Sequence, residues 1–452
     1  AGTVVFGAAM LPAATDAAHD KELHDLRADG GVNAILHEEF PVRFWDHDLG
    51  PARTRLLAFA PGEEEPRDLT GHVGRALHDE ATWDIAPDGR TVVAVWAVGE
   101  PGASQRNTVV AIDVATGARR VLADDVGLDI SEPRISPDGT QVLLNVWERP
   151  TAERIGDAWL AVLPIEGGTR RDLLKDWDRW PRSARWTPDG GALVFVADDH
   201  GHAPLWRVDI ASGEVTRLTE DGAYSSPNVA PDGTVYALRA SVDHPHTPCR
   251  VTADGVTTLP GPAPEVTVPG RLDEVTTTAD DGTPLRAWLA LPDSDDPAPL
   301  LVWFHGGPLG SWNEWHWRWN PWVAVARGYA VLLPDPALST GYGLDFIQRG
   351  WGVWGGSPYT DLMTLTDAAV ERPDIDETRT AAMGGSYGGY MANWVAGHTD
   401  RFTAIVTHAS LWHMEQMGVT TDWAFLWPRE MTPEMAIDQS PHRFVDKITT
   451  PM

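Results

Sequence analysis

This chain of 452 residues has little cysteine, little lysine and no long apolar run. The one cysteine, Cys249, excludes an internal disulfide and fits a reducing, cytoplasmic setting. Lysine occurs three times against 32 arginines, which reads as nucleotide composition rather than function. No stretch of about 18 apolar residues occurs, so no membrane span is expected. Basic residues number 35 against 65 acidic ones. The net charge of −30 argues against nucleic acid and anionic membrane as partners. No basic-then-apolar leader opens the chain. Residue 1 is Ala rather than Met, so a segment ahead of it is expected and the missing leader excludes nothing.

What is present falls into two patterns. A Pro-Asp-Gly turn recurs at 87–89, 137–139, 188–190 and 231–233, at spacings of 50, 51 and 43 residues. Each turn precedes a β-branched or apolar run, such as Thr91–Trp96, Gln141–Val146, Ala192–Val196 and Thr234–Leu238. Further strand pairs follow around Thr116-Gly117 and Ser212-Gly213. Short strands joined by Gly turns at a period of 40–50 residues are the signature of propeller blades. A two-sheet sandwich has no reason to repeat one turn at this period. Four blades of four short strands are expected after residue 80. An irregular fifth unit is expected before them, closing at Arg55–Phe59 and Asp68–Thr70. Ala1–Phe6 resembles the residues after a Pro-Asp-Gly turn, so the chain is expected to begin inside a blade. Pro260, Pro262, Pro264 and Pro269 mark a linker, which divides a propeller (1–265) from a second unit (266–452).

In the second unit, apolar strands alternate with helices. Leu300–Phe304, Tyr329–Leu333, Thr378–Met383 and Ala404–Thr407 read as strands; Trp322–Ala326, Asp361–Val370 and Tyr390–Ala396 read as helices. A hairpin, Val275–Thr278 with Leu285–Leu291, precedes them. That alternation implies a doubly wound, mostly parallel sheet with ligands at the carboxyl ends of its strands.

The line Gly384-Gly385-Ser386-Tyr387-Gly388-Gly389 holds a G-x-S-x-G frame between a strand and a helix. In that setting the glycines, here Gly384 and Gly388, allow a strained turn that exposes the serine Oγ at the top of a sheet. Ser386 is therefore the expected nucleophile, and the Tyr387 N–H one oxyanion donor. His305-Gly306-Gly307-Pro308 follows the strand Leu300–Phe304 and suits the second donor, with Gly307 as candidate.

A serine needs an imidazole to take its proton and a carboxylate to hold that imidazole. After Ser386 come Asp400, Asp422, Asp438 and Asp446, with His398, His408, His413 and His442. None has the setting of a strand-end carboxylate followed by a late loop histidine. Ile448–Met452 reads as the opening of another core strand, so the triad Asp and His are expected beyond Met452. Trp312, Trp315, Trp317, Trp319 and Trp322 suit either an apolar pocket or packing between the two units, the latter favoured by the number of rings. Glu38-Glu39 could hold a substrate amino group, but the pair reads more simply as surface. No metal or cofactor is expected.

A propeller joined to an α/β-hydrolase with this elbow resembles the prolyl oligopeptidase family of serine peptidases. His305-Gly306-Gly307-Pro308 and Gly341-Tyr342-Gly343 look like its acylaminoacyl-peptidase and dipeptidyl-peptidase-like branches. The resemblance spans essentially the whole chain. It implies short peptides as substrates, admitted past a capping propeller. Pro336–Thr340 stands where many relatives carry Arg-Gly-Ser, so the specificity of relatives does not transfer directly. An esterase on the same fold and a non-catalytic propeller scaffold are the competing readings. A homo-oligomer and a complementary C-terminal fragment are the protein partners left open. For these 452 residues alone, little or no hydrolysis is expected.

Overall fold

The computed structural model of the protein describes residues 2–78, 81–262 and 264–452. Four antiparallel sheets of four strands follow one another along its first part. They begin at Trp83–Ile85, Leu128–Ile135, Arg182–Trp186 and Ala223–Val229, and end at Arg119–Ala123, Arg171–Leu173, Val215–Arg217 and Gly255–Thr258. In each, the Pro-Asp-Gly turn joins the first strand to the second. Its glycine takes a left-handed φ (+75°, +77°, +68° and +85° for Gly89, Gly139, Gly190 and Gly233). Its aspartate accepts an N–H two residues on, from Arg90, Thr140, Gly191 and Thr234, at 2.9–3.0 Å. Successive sheets share a core: Val93 and Val109 of one pack with Ile130, Val146 and Trp159 of the next. This is the propeller.

The earlier unit is irregular beside the four-stranded blades. It has three, Val4–Met10, Arg53–Phe59 and Arg67–Asp68. A helix, Ala17–Asp29, and a hairpin, Arg43–Phe44 with His47–Asp48, are inserted between the first two. The helix buries no residue, so no apolar stripe announces it. Ala1 lies outside the described residues.

The second part is an α/β-hydrolase sheet of six strands. Across the sheet they run Gly270–Thr278, Pro284–Pro292, Ala330–Asp335, Ala298–Phe304, Ile375–Gly385 and Ala404–His408. The first two pairings are antiparallel and the other three parallel. Val331, Leu332 and Leu333 are fully buried, as continuous apolar strands of a covered sheet should be. The elbow strand is longer than expected, and its residues Glu377, Thr378 and Arg379 are exposed. Ile448–Met452 forms no strand; Pro451 O accepts one bond, from Ile405 N at 2.9 Å.

Chain order reverses at Ala298–Phe304, which lies between Ala330–Asp335 and Ile375–Gly385. Phe304 pairs with Gly384 in register, so the loops after both strands emerge side by side. The two units interlock around this edge. Trp315 and Trp322 pack with Ala240 and Val242 of the propeller, and Trp322 Nε1 donates to Val242 O at 2.9 Å. Ile155 of the propeller sits in the hydrolase core. Trp351 Nε1 donates to Thr151 O at 2.7 Å, and Arg429 to Ser104 Oγ at 2.7 Å. Among the described residues no helix is long and apolar enough to cross a membrane.

Candidate active site

Ser386 stands between the strand Ile375–Gly385 and the helix Tyr387–His398, at φ 57° and ψ −121°. A left-handed φ is costly for a residue with a Cβ and persists only where the surroundings force it. Here they do. A Cβ on Gly384 would lie 2.2 Å from Gly388 O, and one on Gly388 would lie 2.2 Å from Phe304 O. The sharp turn is thus packed directly against the neighbouring strand, and Ser386 is left exposed while Gly384, Gly385, Tyr387 and Gly388 are buried. The Ser386 N–H donates to His408 O at 3.0 Å, which ties the elbow to the strand beyond it.

The Tyr387 amide begins the helix and so belongs to the first turn, whose N–H groups have no intrahelical acceptor. Its side chain is buried against Trp354 and Tyr390. The His305–Pro308 loop lies beside the serine: a Cβ on Gly306 would be 3.4 Å from Ser386 Cβ. His305 is clamped, with Nε2 2.9 Å from Ser339 Oγ and Nδ1 2.8 Å from Gly306 O. Gly307 takes φ +128°, a value that favours glycine.

Asp335 anchors this loop, and sequence reading passed over it. Fully buried at the end of its strand, it accepts from Ser311 Oγ (2.7 Å), Trp312 N (2.9 Å) and Tyr342 OH (2.6 Å). The buried Arg286 guanidinium stands 3.8 Å away. A carboxylate ending an apolar strand (Leu332-Leu333-Pro334-Asp335) was the available signal. Burial and the adjacent Asp335 charge raise the Tyr342 pKa well above its ordinary value, so the phenol stays a donor.

The serine opens onto a cavity of about 300 Å³ lined by Trp303, His305, Trp312, Glu314, Trp319 and others. Two larger cavities, of about 370 and 520 Å³, lie between propeller and hydrolase residues and do not contain Ser386. Trp312 and Trp319 therefore line the site, Trp312 also shares with Trp315 and Trp322 the cluster that reaches Ala240 and Val242 of the propeller, and Trp317 is 71% exposed.

No side chain among the described residues hydrogen-bonds Ser386 Oγ. His398 stacks on Trp394 (4.1 Å) at the far end of the elbow helix. His408 is exposed beside the elbow, its ring 5.2 Å from Trp319. His413 and His442 pack against each other, with ring centroids 4.1 Å apart and planes tilted by 43°. Asp422 accepts the Trp45 N–H at 2.7 Å. Asp400, Asp438 and Asp446 make no contact with any of these rings that the structure records. Glu38 and Glu39 are exposed and do not line the cavity at Ser386. Among the described residues no group of three His, Cys, Asp or Glu could hold a metal ion.

Comparison with known proteins follows this division. Residues 83–260 match the TolB beta propeller domain, and residues 315–451 match the prolyl oligopeptidase family. Dipeptidyl-peptidase 5 of Schizosaccharomyces pombe is 29% identical over 407 residues, which are 84% of this chain and 59% of that protein. Dipeptidyl-peptidase 5 of Porphyromonas gingivalis is 28% identical over 71% of this chain and 50% of its own length. The chain thus spans between half and three fifths of these relatives. Acylaminoacyl peptidase of Pyrococcus horikoshii superposes with a TM-score of 0.79 at 17% identity, over all of this chain and 69% of its own. Propeller repeat, sheet order and elbow agree with these matches: residues 315–451 carry a domain similar to the prolyl oligopeptidase family, behind a TolB-type propeller.

Proposed function

We propose that Ser386 is the nucleophile of a serine peptidase that acts on short peptides. The exposed Ser386 hydroxyl, held at a left-handed elbow over a cavity lined by residues of the hydrolase unit, supports this most directly. Ser386 Oγ attacks the scissile carbonyl carbon while a base takes its proton. The oxyanion that forms accepts the Tyr387 and Gly307 N–H groups. Collapse expels the amine with a proton returned to it, and water then hydrolyses the acyl-serine. We place the base and its carboxylate outside residues 1–452. In support, no histidine bonds Ser386 Oγ among the described residues, and the chain spans only part of its relatives' length. The names of those relatives make release of dipeptides the first activity to test. We set the boundary between the two units near residue 265, between Gly255–Thr258 and Gly270–Thr278.

The test uses protein from the natural reading frame and a fluorophosphonate probe. Ser386 is expected to be labelled and dipeptidyl anilides cleaved, and Ser386→Ala should abolish both. Cleavage of esters without amides would replace the peptidase with an esterase. No labelling of folded protein would remove the hydrolase reading.

A further inference from the structure

The cavity at Ser386 carries more polarity than an aliphatic side chain needs. Asn313 and Glu314 line it together with Trp303, Trp312 and Trp319. Asn313 is 8% exposed, and its Oδ1 has no hydrogen-bond partner among the described residues. An acceptor taken out of water and left unmet is a cost that a ligand donor removes. Glu314 is held by the propeller: His246 Nε2 lies 3.0 Å from its Oε2. The other charged groups around it are engaged elsewhere. Arg182 pairs with Asp198 at 2.7 Å, and Arg318 lies over the Trp319 ring at 4.8 Å. His316 Nδ1 accepts the Trp319 N–H at 3.3 Å, and burial lowers its pKa, which disfavours its charged form. The hydrogen bond from His246 holds the Glu314 pKa down. Among the described residues His246 is therefore the one side chain recorded as hydrogen-bonded to this carboxylate, with Arg182 and His316 acting on it only through weaker charge interactions.

We infer that this cavity is a subsite for a cationic group of the substrate, with the Glu314 carboxylate as counter-ion, Asn313 Oδ1 as second acceptor and the tryptophan rings as walls. It rests on the reading of Ser386 as nucleophile only in calling the ligand a substrate. An ammonium or guanidinium meets the carboxylate, the amide oxygen and the ring faces together. A neutral isostere leaves both acceptors unmet and is rejected on that account. His246 is the site's own cation and competes for the same carboxylate. Preference for a ligand cation therefore grows as pH rises and His246 loses its proton. The cation is supplied either by the peptide's α-ammonium or by a lysine or arginine side chain.

Calorimetry on the Ser386→Ala variant of the protein from its natural reading frame tests this without turnover. The ligands are glycyl-lysine and glycyl-norleucine anilides, each with a free and an acetylated amino terminus. One pairing, lysine against norleucine or free against blocked, should differ by about tenfold in affinity, and the pairing that differs names the source of the cation. Glu314→Gln should bring that ratio close to one. If lysine is the source, its ammonium stays charged across about pH 5.5 to 8. Its advantage should then widen over that range, and His246→Asn should flatten the trend. Equal binding of all four ligands, no binding of any, or a ratio that survives Glu314→Gln would overturn the subsite. Failure of fluorophosphonate labelling would instead remove the hydrolase reading and leave this binding ratio to be judged alone.

Discussion

In the propeller, Gly190 and Gly233 sit at φ +68° and +85°, and a Cβ on either would meet nothing within 4 Å. In the hydrolase unit, Gly384 and Gly388 have no left-handed φ, yet a Cβ on either would lie 2.2 Å from a backbone oxygen. The same residue is required for opposite reasons. The turn glycines satisfy a dihedral, a demand set within four residues. Gly384 makes room for Gly388 O inside the elbow, and Gly388 satisfies a close approach to Phe304 O, on a strand some 80 residues away in the chain. Local demands repeat and can be read as a period; tertiary demands appear once and need a motif to be read at all.

Substituting each kind of glycine sharpens that contrast. Gly388→Ala forces backbone against backbone at Phe304 O and His305 O (2.2 and 2.8 Å), which no rotamer relieves. It should cost about 3 kcal/mol or more and abolish probe labelling at Ser386; labelling at the native rate would break the comparison. Gly190→Ala has room but the wrong φ. It should cost about 1–2 kcal/mol in thermal unfolding and leave labelling of Ser386 intact. A loss of labelling there would mean that the propeller turn and the elbow are coupled.

The seam between the two regions has its own, smaller signature. The hydrogen bond to Glu314 raises the His246 pKa above its ordinary 6.5, so the stability it contributes is full below 6.5 and is lost as pH climbs through the raised value. The Glu314 pKa is lowered from 4.5, so its contribution is present above 4.5 and is lost as pH falls through the lowered value. Both groups are charged and paired between those limits. Since both side chains are partly exposed, the contribution should not exceed about 1 kcal/mol. Thermal unfolding of wild type and His246→Asn should therefore differ more at about pH 5.5 than at about pH 8. The same difference at both pH values would mean that the imidazole contributes packing rather than charge.

The blades after residue 80 were legible because Pro-Asp-Gly turns and their flanking strands are local. The insertion at Ala17–Asp29 was not, since a helix that buries nothing leaves no apolar period to read. Ser386, Tyr387 and the His305–Pro308 loop could be read because strand–turn–helix grammar marks them. Asp335 and the His246–Glu314 pair could not, because their meaning lies in what they touch across the fold. His246 and Glu314 are 68 residues apart and belong to different units. The tryptophans from 312 to 322 carried both readings at once, and both hold: Trp312 and Trp319 line the cavity at Ser386, while Trp312, Trp315 and Trp322 share one cluster with Ala240 and Val242 of the propeller.

Mass-spectrometric mapping of a fluorophosphonate adduct on the protein from its natural reading frame tests the central claim most directly. The account predicts a single modified peptide, with the label on Ser386 and none in the Ser386→Ala variant. An unlabelled, folded protein, or an adduct on another serine, would contradict it.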